Sequence, residues 1–459
     1  MLNRLASLPL KFKRSYSASM TTSSSSSKDP AALHNPYFNL KPGQKDIWSL
    51  INETAATAQA EHPDRKIINL GQGFFSYSPP GFAIEAVDEA LNLAQFNQYA
   101  PARGNPNLLK QVAQHYSRSY GREVPIDEVQ ITTGANEGMF AVFFGFLTPG
   151  DEVIVFEPFF DQYIPNIEMT GAKVKYVEIK YPKKLNNQTV TGDDWEIDWE
   201  GLELSINEKT KMIVINTPHN PIGKVFTKQE LHRIGELVIK HNLILVSDEV
   251  YENLYYSVEF PRPATLESLP ELKDRTLTVG SAGKSFAATG WRVGYIQGPA
   301  SLIKYVAAAH TRICFSTPAP LQQAVAQAFS QVVELNYFEK VRQDYTEKYK
   351  LFTKVFDDLG LPYTIAQGGY FLLVNLSKVK IPKDYEFPED ILSRNALDFK
   401  LAYWLIKEIG VVSIPPTEFL TEQHRPGNAL ENCVRFAVCK DDEILQEAVE
   451  KLKKLKDFL

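Results

Sequence analysis

Cysteine is scarce: Cys314, Cys433 and Cys439 are the only three in 459 residues. An odd number, with no metal-type spacing to histidine, argues against a disulfide framework and against a zinc site, and predicts a reducing compartment. Basic charge is not in excess either, since 49 Lys and Arg stand against 55 Asp and Glu for a formal charge of −6. That balance supplies no electrostatic drive towards nucleic acid or anionic membranes and points to small ligands. Long apolar runs are missing too: nothing approaches the roughly 18 to 20 residues that span a bilayer, so a water-soluble protein is expected. The apolar content of 44% and aromatic content of 12% suffice for a large core and more than one domain.

Acidic residues are absent from the first 27 positions, which carry Arg4, Lys11, Lys13, Arg14, many serines and leucines at Leu2, Leu5, Leu8 and Leu10. This composition suits a mitochondrial presequence. It predicts a matrix form cut near Ser17 and a second, cytoplasmic form starting at Met20. A serine-rich tail without an address is the alternative.

Beyond the tail, Asp46 caps a helical segment through Trp48, Leu50 and Ile51, and Lys66 to Gly73 reads as a strand entering a glycine turn. Helical spacing follows over Pro80 to Ala94 and Asn107 to Tyr120. Seven short runs rich in Val and Ile then alternate with helical stretches: Val129–Thr133, Val153–Phe156, Val174–Ile179, Met212–Asn216, Leu243–Ser247, Leu277–Gly280 and Val293–Gln297. They predict an α/β fold with a mostly parallel seven-stranded sheet covered by helices. One long amphipathic stretch, Ala319 to about Leu359, leads out of it into a smaller α+β domain that also takes in the N-terminal arm. The expected division is 1–28 for the tail, 29–80 for the arm and part of the small domain, 81–325 for the large domain and 326–459 for the small one.

Unusual residues cluster at the strand ends. Asn220 sits in a proline-stiffened loop after Met212–Asn216, while Asp248 and Tyr251 follow Leu243–Ser247. Lys284 lies in Ser281-Ala-Gly-Lys-Ser-Phe-Ala-Ala-Thr-Gly-Trp-Arg-Val-Gly294, with small neighbours and with Arg292 eight residues on. Desolvation in such a setting lowers a lysine towards its nucleophilic free amine. Taken alone, the motif reads more readily as a surface lysine in a Gly/Ala turn. Arg435, between Val434 and Phe436, is a charge in an apolar strand, which requires either an anionic ligand or a buried ion pair.

With Lys284, Asn220, Asp248, Tyr251 and Arg435 in this order, the chain from about Asn35 resembles the fold-type I, class I aminotransferases. It is most similar to kynurenine aminotransferases that also act as glutamine transaminases and cysteine-conjugate β-lyases. Asn69-Leu-Gly-Gln-Gly-Phe74, Glu157-Pro-Phe-Phe-Asp161, Asn216-Thr-Pro-His-Asn-Pro221, Gly223-Lys-Val-Phe226 and Arg435-Phe-Ala-Val-Cys-Lys-Asp441 carry that likeness. It implies pyridoxal 5'-phosphate as cofactor, with Lys284 holding its aldehyde and moving the substrate proton. It further implies Asp248 at the ring nitrogen, Tyr251 and Asn220 at the ring oxygen, and Phe159 stacked on the ring. Arg292, Ser281, Ala135 and Asn136 would hold the phosphate, joined by Tyr99 from the other subunit of a homodimer. Arg435, Gly73 and Asn220 would bind the substrate carboxylate. Trp48, Phe371 and the partner's Phe315 would border its side chain. Asn136 and Ser316 depart from the mammalian relatives, which have tyrosine and histidine there.

The resemblance implies transamination of L-kynurenine with a 2-oxo acid such as 2-oxoglutarate, giving kynurenic acid, and of other aromatic or sulfur amino acids. A carbon–sulfur lyase or an aromatic, methionine or glutamine aminotransferase on the same scaffold is the rival. N-terminal sequencing of fractionated cells should find matrix copies starting near Ser17; copies that all begin at Met1 would rule out the presequence.

Overall fold

The computed structural model describes residues 35–38 and 45–459; the presequence expectation lies outside them. All seven anticipated runs form strands of one sheet. From one edge to the other the order is Val129–Thr132, Gly294–Gln297, Thr276–Ser281, Ile244–Asp248, Thr210–Asn216, Glu152–Glu157, Lys173–Lys180 and Glu196–Ile197. The last, a two-residue antiparallel strand on Ile179 and Lys180, makes the sheet eight-stranded. Gly294–Gln297 runs antiparallel to both neighbours, and the remaining pairs are parallel. Consequently Thr132, Glu157, Asn216, Asp248 and Ser281 all end their strands along the same edge, where ligands of such sheets are bound.

Helices cover both faces, as the continuous apolar strands require. One face packs Met139, Val142 and Phe143 of the helix Gly134–Phe146 with Val155, Val214, Val246 and Val279. The other packs Ile154, Ile213, Ile215 and Leu245 against Leu231, Ile234 and Val238 of the helix Lys228–Lys240. The stretch expected as one long element is two helices, Ala319–Gln331 and Tyr337–Leu359, separated where Asn336 adopts a left-handed φ of 48°. Asparagine tolerates that conformation better than most residues.

The C-terminal part contributes an antiparallel pair, Phe371–Asn375 with Cys433–Ala437, in register Leu373 to Arg435. Ile68–Asn69 pairs in parallel with Val411–Val412, and the capped helix Ile47–Glu61 packs Ile47, Leu50 and Ile51 against Ile391, Phe399 and Ile406. The N-terminal segment is therefore built into the C-terminal layer, and Gly71 to Phe74 is brought to the sheet edge. Among the described residues no helix is long and apolar enough to cross a membrane.

Phe329 lies at the centre of a third cluster, with ring contacts to Phe286 at 5.0 Å and Tyr295 at 6.0 Å. Phe329→Ala should lower stability by about 3–5 kcal/mol, read from the midpoint of denaturant unfolding.

Candidate active site

A cleft of about 410 Å³ opens on the sheet edge, and Lys284 projects into it from the short helix Ala282–Ser285. Its Nζ donates to Tyr370 Oη at 2.6 Å, and that hydroxyl in turn donates to the Gly73 carbonyl at 2.9 Å. Burial lowers the Lys284 pKa to about 8, with Arg292 and Arg435 pushing the same way against Cys439 and Asp248. Near neutral pH an appreciable fraction is therefore free amine, the form that attacks a carbonyl.

Asp248 ends the strand Ile244–Asp248 and lines the cleft. It caps no helix: Oδ1 accepts from Val250 N–H at 3.2 Å, and Oδ2 accepts from the Tyr163 hydroxyl. Burial raises its pKa to about 6 despite those donors, which makes it a carboxylate that gains from a cationic or N–H partner.

Arg292 adopts a left-handed φ of 55°, and its guanidinium lies where a side chain on Gly134 would be: a Cβ there would sit 2.3 Å from Nη2. Gly134 starts the helix Gly134–Phe146 with φ +80°. Gly294 allows the close approach of that turn, since its own Cβ would fall 2.7 Å from Ala135 N. Ser281, Ala135 and Asn136 line the same end of the cleft. A fixed cation over the amides of a helix N-terminus is an anion cradle of the size and charge of a phosphate.

Arg435 is 1% exposed. Its Nη1 donates to Asn220 Oδ1 at 3.0 Å and Nη2 to the Gly71 carbonyl at 2.9 Å, while buried Nε has no partner. The guanidinium lies 4.1 Å from the Phe371 ring and 4.8 Å from that of Phe419. No carboxylate among the described residues forms a salt bridge with it. Burial brings its pKa down to about 10. Among the described residues the structural ion pair that the sequence left open is not formed, which leaves the charge available to an anion. Hydrogen bonds continue inward: Asn220 N–H donates to Asn216 Oδ1 at 2.7 Å, and Asn216 Nδ2 donates to the Asp248 carbonyl at 3.0 Å.

Trp48, Ala135, Asn136, Asn220, Asp248, Tyr251, Ser281, Lys284 and Arg292 all line the cleft. Gly73, Phe371 and Arg435 stand immediately behind it, through Tyr370 and Asn220. Phe159 is different: it is buried, with its ring 5.7 Å from Tyr176 and its N–H bonded to the Phe419 carbonyl. The next residue, Phe160, faces the cleft instead. Two adjacent phenylalanines after Glu157-Pro158 cannot be told apart without knowing which way the loop turns. Tyr99 and Phe315 lie outside this chain's cleft as an exposed edge-to-face pair at 5.6 Å, beside Ser316. Sequence reasoning missed Tyr163 and Tyr370; Tyr370 directly precedes the apolar strand Phe371–Asn375, where a tyrosine reads as core.

Behind the cleft, Glu249 and Glu252 alternate with Asp248 and Tyr251 and point the other way. Arg262 joins them, with Nη1 2.5 Å from Glu249 and Nη2 2.8 Å from Glu252, all nine-tenths or more buried. The Tyr295 hydroxyl donates to Glu252 at 2.9 Å and that of Ser247 to Glu249 at 2.8 Å.

Residues 65–452 match the family described as aminotransferase class I and II, and the chain belongs to that family. It is 53% identical to the "Probable kynurenine–oxoglutarate transaminase BNA3" of Saccharomyces cerevisiae over 98% of this chain and 99% of that one. It is 38% identical to the kynurenine–oxoglutarate transaminase of Dictyostelium discoideum, over 85% and 91%. The crystal structure of Bna3p from Saccharomyces cerevisiae superposes with a TM-score of 0.90 at 55% identity, covering 93% of this chain and 99% of that one. YbdL of Escherichia coli, solved as a methionine aminotransferase, gives 0.78 at 27% identity, covering 90% and 98%.

Arg262→Met should strand two buried carboxylates and cost about 3–5 kcal/mol in denaturant unfolding. An effect below about 1 kcal/mol would show that the cluster does not brace the Asp248–Tyr251 turn.

Proposed function

We propose that this aminotransferase moves the amino group of L-kynurenine to a 2-oxo acid such as 2-oxoglutarate, with pyridoxal 5'-phosphate as cofactor and a homodimer as the working unit. The observation that carries this reading is a buried Arg435, with Nε unpartnered and no salt bridge among the described residues, beside a cleft that also holds a desolvated Lys284. The choice of kynurenine draws on the names of the relatives and on the aromatic Trp48 at the cleft.

The residues fit the cofactor. The Gly134–Arg292 cradle matches its phosphate, and the raised Asp248 carboxyl matches a protonated ring nitrogen. When bound, pyridoxal phosphate supplies an aldehyde to hold the amine and a cationic ring to accept the electron pair left as Cα loses its proton. Lys284 is the base that takes that proton and the acid that returns it. Asp248, fixed by Tyr163 and Val250 N–H, keeps the nitrogen's proton in place. Asn220 has its Oδ1 committed to Arg435, so its Nδ2 is left to donate to the ring oxygen together with the Tyr251 hydroxyl. Arg435 presents a planar fork to the substrate carboxylate, with Phe371 and Phe419 holding it rigid. Phe160, rather than Phe159, is the aromatic for the ring face.

Tyr99 is 88% exposed and Phe315 53% exposed. In the proposed homodimer they cover the partner's cleft, Tyr99 at the phosphate and Phe315 at the substrate side chain. A matrix location, with a cytoplasmic form from Met20, belongs to the same proposal.

Purified enzyme given L-kynurenine and 2-oxoglutarate should produce kynurenic acid and glutamate, and absence of both would overturn the substrate assignment. Lys284→Ala should abolish the visible absorbance of lysine-bound cofactor and reduce turnover by more than about a thousandfold. Arg435→Ala should raise KM for both acids about a hundredfold with a smaller change in kcat.

A further inference from the structure

Three potential ligands converge next to the cofactor-phosphate end of the cleft without lining it: the Glu137 carboxylate, the His310 imidazole and the Cys314 thiol. His310 and Cys314 are four residues apart at the end of the helix Ala300–Ile313, so both project from one face. Glu137 arrives from the first turn of the helix Gly134–Phe146, 173 residues away from His310 in the chain. That separation is why the sequence reading found no metal site.

His310 Nδ1 lies 3.0 and 3.1 Å from the two Glu137 oxygens and 3.4 Å from Cys314 Sγ. One ligand atom from each residue lies within 4.8 Å of the other two. A tetrahedral ion with bonds of about 2.0–2.3 Å has ligand-to-ligand edges of about 3.3–3.8 Å, so only small adjustments separate this arrangement from a coordination sphere. His310 is fully buried, whereas Glu137 and Cys314 remain partly exposed and leave a side for entry. One imidazole nitrogen faces two carboxylate oxygens and a sulfur, all of them atoms that can give an electron pair to a cation.

We propose that Glu137, His310 and Cys314 form a binding site for a thiophilic divalent cation of the zinc type, with water as the fourth ligand. On binding, the Cys314 S–H bond breaks and its proton passes to solvent, while the imidazole keeps its one ring proton on Nε2 so that Nδ1 is free to coordinate. The thiolate sulfur, neutral Nδ1 and a carboxylate oxygen then each donate an electron pair, with no change of oxidation state. Glu137 Oε2 also accepts the Thr133 N–H at 2.8 Å, so the ion connects the Cys314–Phe315 segment to the helix that begins the phosphate cradle.

Holoenzyme freed of metal and dialysed against Zn2+ should take up about one equivalent per chain beyond that bound by Cys314→Ala. Cd2+ should give a thiolate-to-metal absorption band in the ultraviolet. Cys314→Ala and Glu137→Gln should each weaken binding more than about a hundredfold, since loss of even an outer-sphere partner costs 10–100-fold. Cys433→Ala, which removes a remote thiol, should bind as the parent does. Uptake unchanged in Cys314→Ala, or no uptake by the parent holoenzyme, overturns the proposal. Circular dichroism of each variant separates ligand loss from misfolding, and Cys314→Ser supplies a second reading if Cys314→Ala does not fold.

Discussion

Arg435 is buried among aromatic rings with one guanidinium nitrogen unpartnered, and the geometry of the cleft follows from how that charge is held. Removing such an ion from water costs several kcal/mol, which two neutral acceptors, Asn220 Oδ1 and the Gly71 carbonyl, offset only in part. An anion beside the guanidinium would offset the remainder. The same contacts determine position: Asn220 is bonded to Asn216, and Asn216 to the Asp248 backbone, so one chain of hydrogen bonds crosses from the strand Cys433–Ala437 to the ends of two central strands. The Arg435 guanidinium and the Asp248 strand end are thereby referenced to one rigid frame.

The Asp248–Tyr251 turn is held from both sides. Asp248 and Tyr251 face the cleft, while Glu249 and Glu252 are clamped behind by Arg262. An acidic side chain in the cleft has to be desolvated enough to prefer a cationic partner, and it also has to be immobile. Burial supplies the first requirement and the Arg262 cluster the second. Lys440 does comparable work on the opposite wall, donating to the Gln72 and Phe74 carbonyls at 3.2 and 2.5 Å and fastening the loop that carries Gly73.

Alternation of short Val/Ile runs with helices was enough to read the seven main strands, because buried parallel strands leave a continuous apolar signature. Lys284, Asp248, Asn220 and Arg435 were legible because polar residues at strand ends or inside apolar strands require an explanation. What stayed hidden has physical reasons. Glu196–Ile197 is too short for periodicity, and the break at Asn336 depends on one backbone angle in an otherwise amphipathic stretch. The choice between Phe159 and Phe160 depends on the direction of a loop. Glu137, His310 and Cys314 meet only through the packing of two helices, which no local pattern records.

Tyr370 shows why such residues escape notice and still matter. Its hydroxyl has one proton, and that proton is committed to the Gly73 carbonyl, so towards Lys284 the oxygen can only accept. The contact therefore orients the lysine whether it is charged or neutral, and leaves the lone pair of the neutral amine unused by the protein. A tyrosine at the start of the Phe371–Asn375 strand, reading as ordinary core, thus ties the Gly71–Phe74 loop, the C-terminal strand pair and the lysine helix together. The amine is aimed by segments nearly 300 residues apart, and its reactivity is a property of their assembly rather than of the motif that contains it.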